Sequence, residues 1–273
     1  MVHEEFDLKD AMDNRGSETT RWWEFHHDWQ ESRGEVIEEI TLTIYVNGVE
    51  FVSIMGTPLN QDWLAVGFLK NEGVISGLDE VRDLKITPEG CCIDVWLERE
   101  VELPRKMVIT SGCGAGVTRD DLEEQEPFPV RYLTEPDVLL AAFTRLQDKD
   151  SLYARSRGVH AAGLLDLKKG DLLKVAEDVG RHNTIDKLQG ACLFENIPTR
   201  GKALLSTGRI SSEMLRKGAA MGCPIIASRT SPTTAAVELA RQWAITLVGY
   251  ARHGKLRVYS VPERVRLDQG KQG

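Results

Sequence analysis

Between Val175 and Gly190 the chain reads Val-Ala-Glu-Asp-Val-Gly-Arg-His-Asn-Thr-Ile-Asp-Lys-Leu-Gln-Gly, crowding acids, an arginine, a histidine and an asparagine around one glycine. The crowd sits between an apolar run (Leu172, Leu173, Val175) and positions at helical spacing (Ile185, Leu188, Cys192). That order predicts a buried strand ending near Val179, a tight turn at Gly180, and a helix with Asn183 as N-cap and Asp186 in its first turn. In α/β sheets such junctions lie at the carboxyl ends of strands, where ligands bind. Two readings stay open for Glu177, Asp178, Arg181 and His182: a ligand-holding cluster, or a buried ion network that only braces the fold.

The flanking sequence repeats the strand-then-helix order. Gly158-Val159-His160-Ala161-Ala162-Gly163-Leu164 leads into a strand, and a second strand over 203–206 runs into the turn Thr207-Gly208-Arg209. A helix over 211–221 follows, then a strand over 224–228, the loop Arg229-Thr230-Ser231-Pro232-Thr233-Thr234, a helix reaching Trp243, and closing strands over 246–251 and 256–260. Two of these junctions end a strand in Ser or Thr with Arg and open a helix at the same point. Free amides, hydroxyls and a guanidinium at a helix start form an anion site, and a pair of them suits a ligand with more than one phosphate. Ordinary capping by Ser and Thr also explains the hydroxyls, but not Arg209 and Arg229 at matching positions.

The N-terminal half has a different rhythm. Ile40, Leu42, Ile44 and Val46 alternate with Thr41, Thr43 and Tyr45, and Asn47-Gly48 signals a two-residue hairpin turn with a return strand over 49–55. Thr57-Pro58 ends it. A helix starting at Asn60 or Asp62 carries Leu64, Ala65, Phe68 and Leu69 on one face before Gly73 stops it. Further strands are expected at Ile86, over 91–97 and over 107–110. Residues 1–34 hold Trp22, Trp23, Phe25 and Trp29 without clear periodicity, so a poorly ordered extension is expected whose aromatics dock on the body or on a partner. An acid- and proline-rich stretch over 120–129 then leads to a helix over 135–149, the best place for a subdomain junction. The divisions expected are 1–34 extension, 35–130 β-rich subdomain with a cysteine loop at its end, 131–261 α/β subdomain and 262–273 tail.

That cysteine loop, Thr110-Ser111-Gly112-Cys113-Gly114-Ala115-Gly116, sets three glycines around one thiol. Glycines let backbone approach a ligand, and clustered amides favour thiolate over thiol. Cys91, Cys92, Cys192 and Cys223 sit in apolar patterns and read as small hydrophobes, whereas Cys113 has no apolar neighbours and reads as reactive. Cys113 with His160 invites a cysteine-histidine hydrolase. A zinc deaminase is excluded more firmly: Ala162 stands where its proton-shuttling glutamate belongs, and no Cys-x-x-Cys follows. There is no Walker loop and no Gly-x-Gly-x-x-Gly after a strand. A formal net charge of -8 and a pI near 5.4 argue against a broad nucleic-acid surface. No apolar run approaches the roughly 20 residues that span a bilayer, and five irregularly spaced cysteines with no export signal fit the reducing cytoplasm.

Read together, the motifs resemble the formate dehydrogenase accessory sulfurtransferases of the FdhD/NarQ type. The resemblance rests on Val46-Asn47-Gly48, on 64–69 with Glu72-Gly73, on the loop Ser111-Gly112-Cys113-Gly114, on 158–162, on 177–183 with Asp186-Lys187, on 208–214, on Ser228-Arg229 with Ser231-Pro232-Thr233, and on 246–252. It covers nearly all of 36–259. It implies a mixed α/β fold resembling cytidine deaminase, three-layered and without its zinc, with the smaller N-terminal β-rich subdomain added. It also implies a homodimeric sulfur carrier that takes persulfide sulfur from a cysteine desulfurase. The sulfur passes to molybdenum in the bis-molybdopterin guanine dinucleotide cofactor, held as a bound substrate before it enters formate dehydrogenase. By resemblance Cys113 carries the persulfide, and Tyr250, Ala251, Arg252, His253, Gly254 and Lys255 hold the guanine dinucleotide. Gly208, Arg209, Ser228 and Arg229 are added as cofactor contacts from the anion-site reading, and His160 as a residue that either positions the cofactor or only braces the loop. No nucleic acid, no membrane and no resident metal are expected. One departure stands out: many relatives carry Cys-Gly-x-Cys in the loop, and here Gly116 takes the second cysteine's place. A pure cofactor-binding chaperone is the alternative this leaves open.

Overall fold

The computed structural model describes residues 16–100, 126–146 and 151–266. The loop carrying Cys113 and Gly116, and the strand expected over 107–110, lie outside the described residues.

The described residues open with a ribbon over 17–37, inside the stretch 1–34 where a poorly ordered extension was expected. Strands β1 (Ser17–His26) and β2 (Asp28–Ile37) pair antiparallel from Ser17 opposite Ile37 to His26 opposite Asp28. Thr, Trp and Phe favour strands, but neither face is buried, so hydrophobic alternation had nothing to report. Trp22 lies across Gly34, where a Cβ would come within 2.6 Å of its ring. Trp23, Phe25 and Trp29 are 67%, 61% and 62% exposed, so they do not dock on the body. Arg155 anchors the base by pairing with Glu35 at 2.7 Å.

A four-stranded sheet follows, in the order β4-β3-β6-β5: β3 (Ile40–Val46), β4 (Val49–Gly56), β5 (Val81–Ile86) and β6 (Cys92–Leu97). Asn47 and Gly48 turn β3 into β4 with φ of 52° and 76°, the geometry that the two-residue hairpin demands. Helix α1 (Gln61–Asn71) covers one face, burying Leu64, Ala65, Phe68 and Leu69 against Leu42, Ile44, Ile93 and Val95.

The larger sheet has the order β12-β11-β10-β9-β7-β8. Its members in chain order are β7 (His160–Leu165), β8 (Leu172–Asp178), β9 (Ala203–Ser206), β10 (Ile225–Ser228), β11 (Thr246–Arg252) and β12 (Lys255–Val258). Helix α2 (Pro136–Arg145) packs Leu139, Ala142 and Phe143 against one face, with Leu165, Leu205, Ile225 and Val248. The short helix α3 (Leu152–Ser156) precedes β7, and its first amides are taken by Glu177. On the other face lie α4 (Arg181–Phe194), α5 (Ser212–Ala220) and α6 (Thr234–Gln242), packed around Ile185, Leu188, Met214, Leu215, Leu204, Ile226 and Leu247. Ser211 and Thr233 cap α5 and α6, accepting from the amides of Met214 and Ala236.

Helix α4 starts two residues before the expected cap. Gly180 is the N-cap, and Asn183 donates instead to the Met55 carbonyl (2.8 Å) and to Asp178 (2.9 Å). Asp186 therefore falls beyond the first turn, where it pairs with the buried Lys217 at 2.6 Å. Helices α1 and α4 cross backbone to backbone: a Cβ on Gly67 would sit 1.8 Å from the Asp186 carbonyl oxygen, and one on Gly190 would sit 2.0 Å from that of Trp63. This crossing joins the small-sheet layer to the large one.

Candidate active site

The parallel strands β9, β10 and β11 carry Ser206, Ser228 and the segment after Gly249 to one edge of the large sheet. Strand β7 runs antiparallel to β9 and opens on the same edge with His160, opposite Asp178 at the end of β8. The expected site residues of the α/β half are thus gathered along one line by strand direction.

Their side chains divide along it. Ser206 and Ser228 are fully buried, and their hydroxyls are spent on the loops. Gly208 N donates to Ser206 Oγ at 3.1 Å, Ser228 Oγ donates to the Gly208 carbonyl at 2.6 Å, and Thr230 N donates to Ser228 Oγ at 3.0 Å. Ser228 and Gly208 therefore shape the edge, and the hydroxyls that cap the two helices are those of Ser211 and Thr233 instead. Arg209 is exposed and Arg229 half-buried. His160 Nδ1 lies 3.5 Å from Thr207 Oγ1. Burial, and then the neighbouring Arg181 charge, pushes the His160 imidazole below its ordinary value, so it is neutral at pH 7.

The predicted segment from Tyr250 to Lys255 lines two adjoining cavities. One, of about 780 Å³, is bounded by Tyr250, Arg252, Lys255 and Arg257 with Asp137 and Leu140 of α2. The other, of about 560 Å³, adds Arg229, Ala251 and Thr144, and shares Leu140, Arg252, His253 and Gly254. His160, Gly208 and Arg209 line neither.

Local backbone chemistry builds this wall. His253 and Gly254, with φ of 52° and 70°, form the two-residue turn between Arg252 and Lys255. The ladder shifts between Gly249 and Arg252, and Tyr250 at φ 53° occupies the irregularity, held by its amide on the Thr230 carbonyl at 3.0 Å. A bulge re-aims the side chain it carries. The Tyr250 ring lies 4.2 Å from the Arg257 guanidinium carbon and 6.0 Å from that of Arg252. An aromatic face beside Arg252, Lys255, Arg257 and Arg229 suits a flat ring bearing phosphates. Arg257 was missed from sequence because β12 had to pair with β11 to bring it there.

In the stretch from Glu177 to His182, for which a ligand-holding cluster and a bracing ion network were both open, the described contacts are structural. Its members pair outward: Glu177 with the α3 amides, Asp178 with Lys187 at 2.6 Å, and His182 with Glu213 at 3.3 Å. Asp178 also accepts from the amides of Thr57 and Gly180. Arg181 Nε is buried without a hydrogen-bond partner among the described residues.

Comparison with known proteins is specific. A family model described as the FdhD/NarQ family matches residues 37–266. A sulfur carrier protein FdhD from Staphylococcus haemolyticus (strain JCSC1435) is 36% identical over 241 residues, covering 85% of this chain and 90% of that protein. One of the same name from Bacillus subtilis (strain 168) is 34% identical over 252 residues, covering 87% and 95%. A crystal structure described as that of a formate dehydrogenase accessory protein, from Desulfotalea psychrophila, matches with a TM-score of 0.77 at 29% identity, over 92% of this chain and 99% of that one.

Proposed function

The chain belongs to the FdhD/NarQ family, and on that premise we propose that it is a sulfur carrier serving the maturation of formate dehydrogenase. The names borne by its relatives support the role, as does the accessory-protein description of the similar structure. In the finer reading, Cys113 receives sulfur from a cysteine desulfurase. The Cys113 thiolate attacks the outer sulfur of the donor persulfide, the donor's sulfur–sulfur bond breaks, and the donor cysteine leaves as thiolate. The outer sulfur then passes to molybdenum in the bis-molybdopterin guanine dinucleotide cofactor, which is substrate here. The Cys113 sulfur–sulfur bond breaks, Cys113 leaves as thiolate, and the acceptor metal supplies the two electrons that make the transferred sulfur sulfide.

The observation that carries this reading is the cationic, tyrosine-bearing wall. Tyr250, Arg252, Lys255, Arg257 and Arg229 meet at two adjoining cavities, in the segment that the family resemblance assigns to the guanine dinucleotide. A large anionic ligand fits such a wall better than a small neutral one. The large sheet, with helices on both faces, is read as the zinc-free cytidine deaminase-like arrangement, and the active form as a homodimer in the cytoplasm. No helix among the described residues is long and apolar enough to cross a membrane.

The test is intact-protein and peptide mass spectrometry after incubation with a cysteine desulfurase and cysteine. One labile extra sulfur on Cys113, removed by reductant, is the expected result. No added sulfur, where a control carrier loads, moves the reading to a cofactor-binding chaperone that carries none. Gly116, in place of a second loop cysteine, is the observation behind that second reading.

A further inference from the structure

The thiols of Cys91 and Cys92 lie 3.7 Å apart, and both residues are half-exposed, unlike the buried Cys192 and Cys223. Their apolar sequence pattern suggested packing alone. Neighbouring side chains of a regular strand point to opposite faces, which would separate two adjacent thiols. Here β6 begins only at Cys92, and Gly90, at φ 69°, delivers Cys91 out of a turn. Thr87 ties the turn together: its carbonyl accepts from Gly90 N at 2.8 Å and its hydroxyl accepts from Cys92 N at 3.3 Å. The same hydroxyl lies 3.8 Å from Cys91 Sγ.

We propose that Cys91 and Cys92 form a dithiol site for a soft thiophilic centre with two open sulfur positions, of the class of trivalent organoarsenicals. The separation fits. Two sulfurs bonded to one centre at ~2.3 Å lie about 3.8 Å apart at a tetrahedral angle, and closer at the narrower angle of a pyramidal centre. A disulfide fits worse, because adjacent Cα atoms are about 3.8 Å apart whereas disulfides span roughly 4.4 to 6.8 Å. A structural zinc ion takes four ligands. Among the described residues no group of three or more His, Cys, Asp and Glu converges to supply them. A trivalent arsenic already bonded to carbon needs only two.

The step balances without an oxidant. An arsenic oxide condenses with both thiols, two arsenic–sulfur bonds form, the arsenic–oxygen bond breaks, and the thiol protons leave with the oxygen as water. Partial burial and the Cys91 neighbour push the Cys92 thiol above its ordinary value. That discourages Cys92 as a free thiolate nucleophile, in contrast to the role assigned to Cys113.

The test treats the full chain with phenylarsine oxide in excess glutathione and reads intact mass and a peptide map. Expected is one phenylarsenic group per chain on the peptide holding Cys91 and Cys92, resistant to the monothiol and removed by dithiothreitol. Cys91→Ser and Cys92→Ser should each weaken retention by about 100-fold, since either leaves a single thiol. Circular dichroism checks that both variants are folded, and Cys92→Ala replaces either that is not. No adduct, an adduct mapped to other cysteines, or retention at full strength in a folded single variant overturns the proposal. The map also separates this site from Cys113, whatever the outcome of the sulfur-loading experiment.

Discussion

The Lys187 ammonium meets the Asp178 carboxylate at 2.6 Å, and neither side chain is exposed to solvent. Lys187 also donates to the Thr57 carbonyl at 3.0 Å, while Asp178 accepts from Thr57 N at 3.1 Å and from Asn183 at 2.9 Å. Thr57 follows β4 of the small sheet, and Asp178 ends β8 of the large one. This buried pair is therefore a clasp between the two sheet layers, at the edge where the candidate site lies. Desolvating two charges is costly, and the surrounding amides offset it only while both partners are present.

Asp178→Ala should consequently lower stability by about 3 to 5 kcal/mol, because it strands a buried ammonium. Urea unfolding measures this. A change under about 1 kcal/mol would show that water or a rearranged partner replaces the carboxylate.

The helix crossing makes a second, steric prediction. Gly67→Ala places a methyl 1.8 Å from the Asp186 carbonyl oxygen, so α1 and α4 must separate, at a cost of about 3 kcal/mol or more. Gly254→Ala meets no atom within 4 Å and pays only for its φ of 70°, about 1 kcal/mol. Thermal unfolding of the two variants side by side checks the order.

Asp166 supplies a pH test. Its bond from Lys202, then the amide of Lys169, lowers its pKa from 3.8 to about 2. A depressed carboxylate contributes stability that is present above the unfolded value and is lost as pH falls through the folded one. The stability gap between the parent and Asp166→Asn should hold steady at pH 6 and narrow progressively between pH ~4 and ~2. Urea midpoints at pH 6 and pH 3.5 read it, and a gap that widens on acidification contradicts the assignment.

The cationic wall predicts ligand affinity. Arg229→Ala and Arg252→Ala should each weaken binding of guanosine diphosphate by roughly 10-fold or more, as charged hydrogen bonds are worth about 1.5 to 3 kcal/mol. Lys85→Ala, on the far small sheet, should leave it unchanged. Calorimetry at two salt concentrations measures both, and equal affinities across all three variants would remove this wall from the site.

Much of this architecture is written locally. Asn47-Gly48 demands a hairpin because both residues tolerate positive φ, and Ser211 and Thr233 announce helix starts because their hydroxyls satisfy orphan amides. The strands ending at Ser206 and Ser228 were readable from short apolar runs with turn residues behind them. The Tyr250–Lys255 segment was singled out through family resemblance more than through periodicity. The ribbon over 17–37 was not readable, since a strand pair with both faces exposed leaves no hydrophobic alternation.

Adjacent residues thus specified turns, caps and most strands of this protein, because those depend on backbone preferences a few residues wide. Partners distant in the chain remained for packing to assign. Asp178 found Lys187, Asp186 found Lys217, Gly67 found the α4 backbone, and Arg257 found the Tyr250 ring. A charged or aromatic residue advertises that it needs a partner but not which one. The choice is made when sheet order and helix crossing bring candidates within reach, in surroundings where an unpaired charge is too costly to keep.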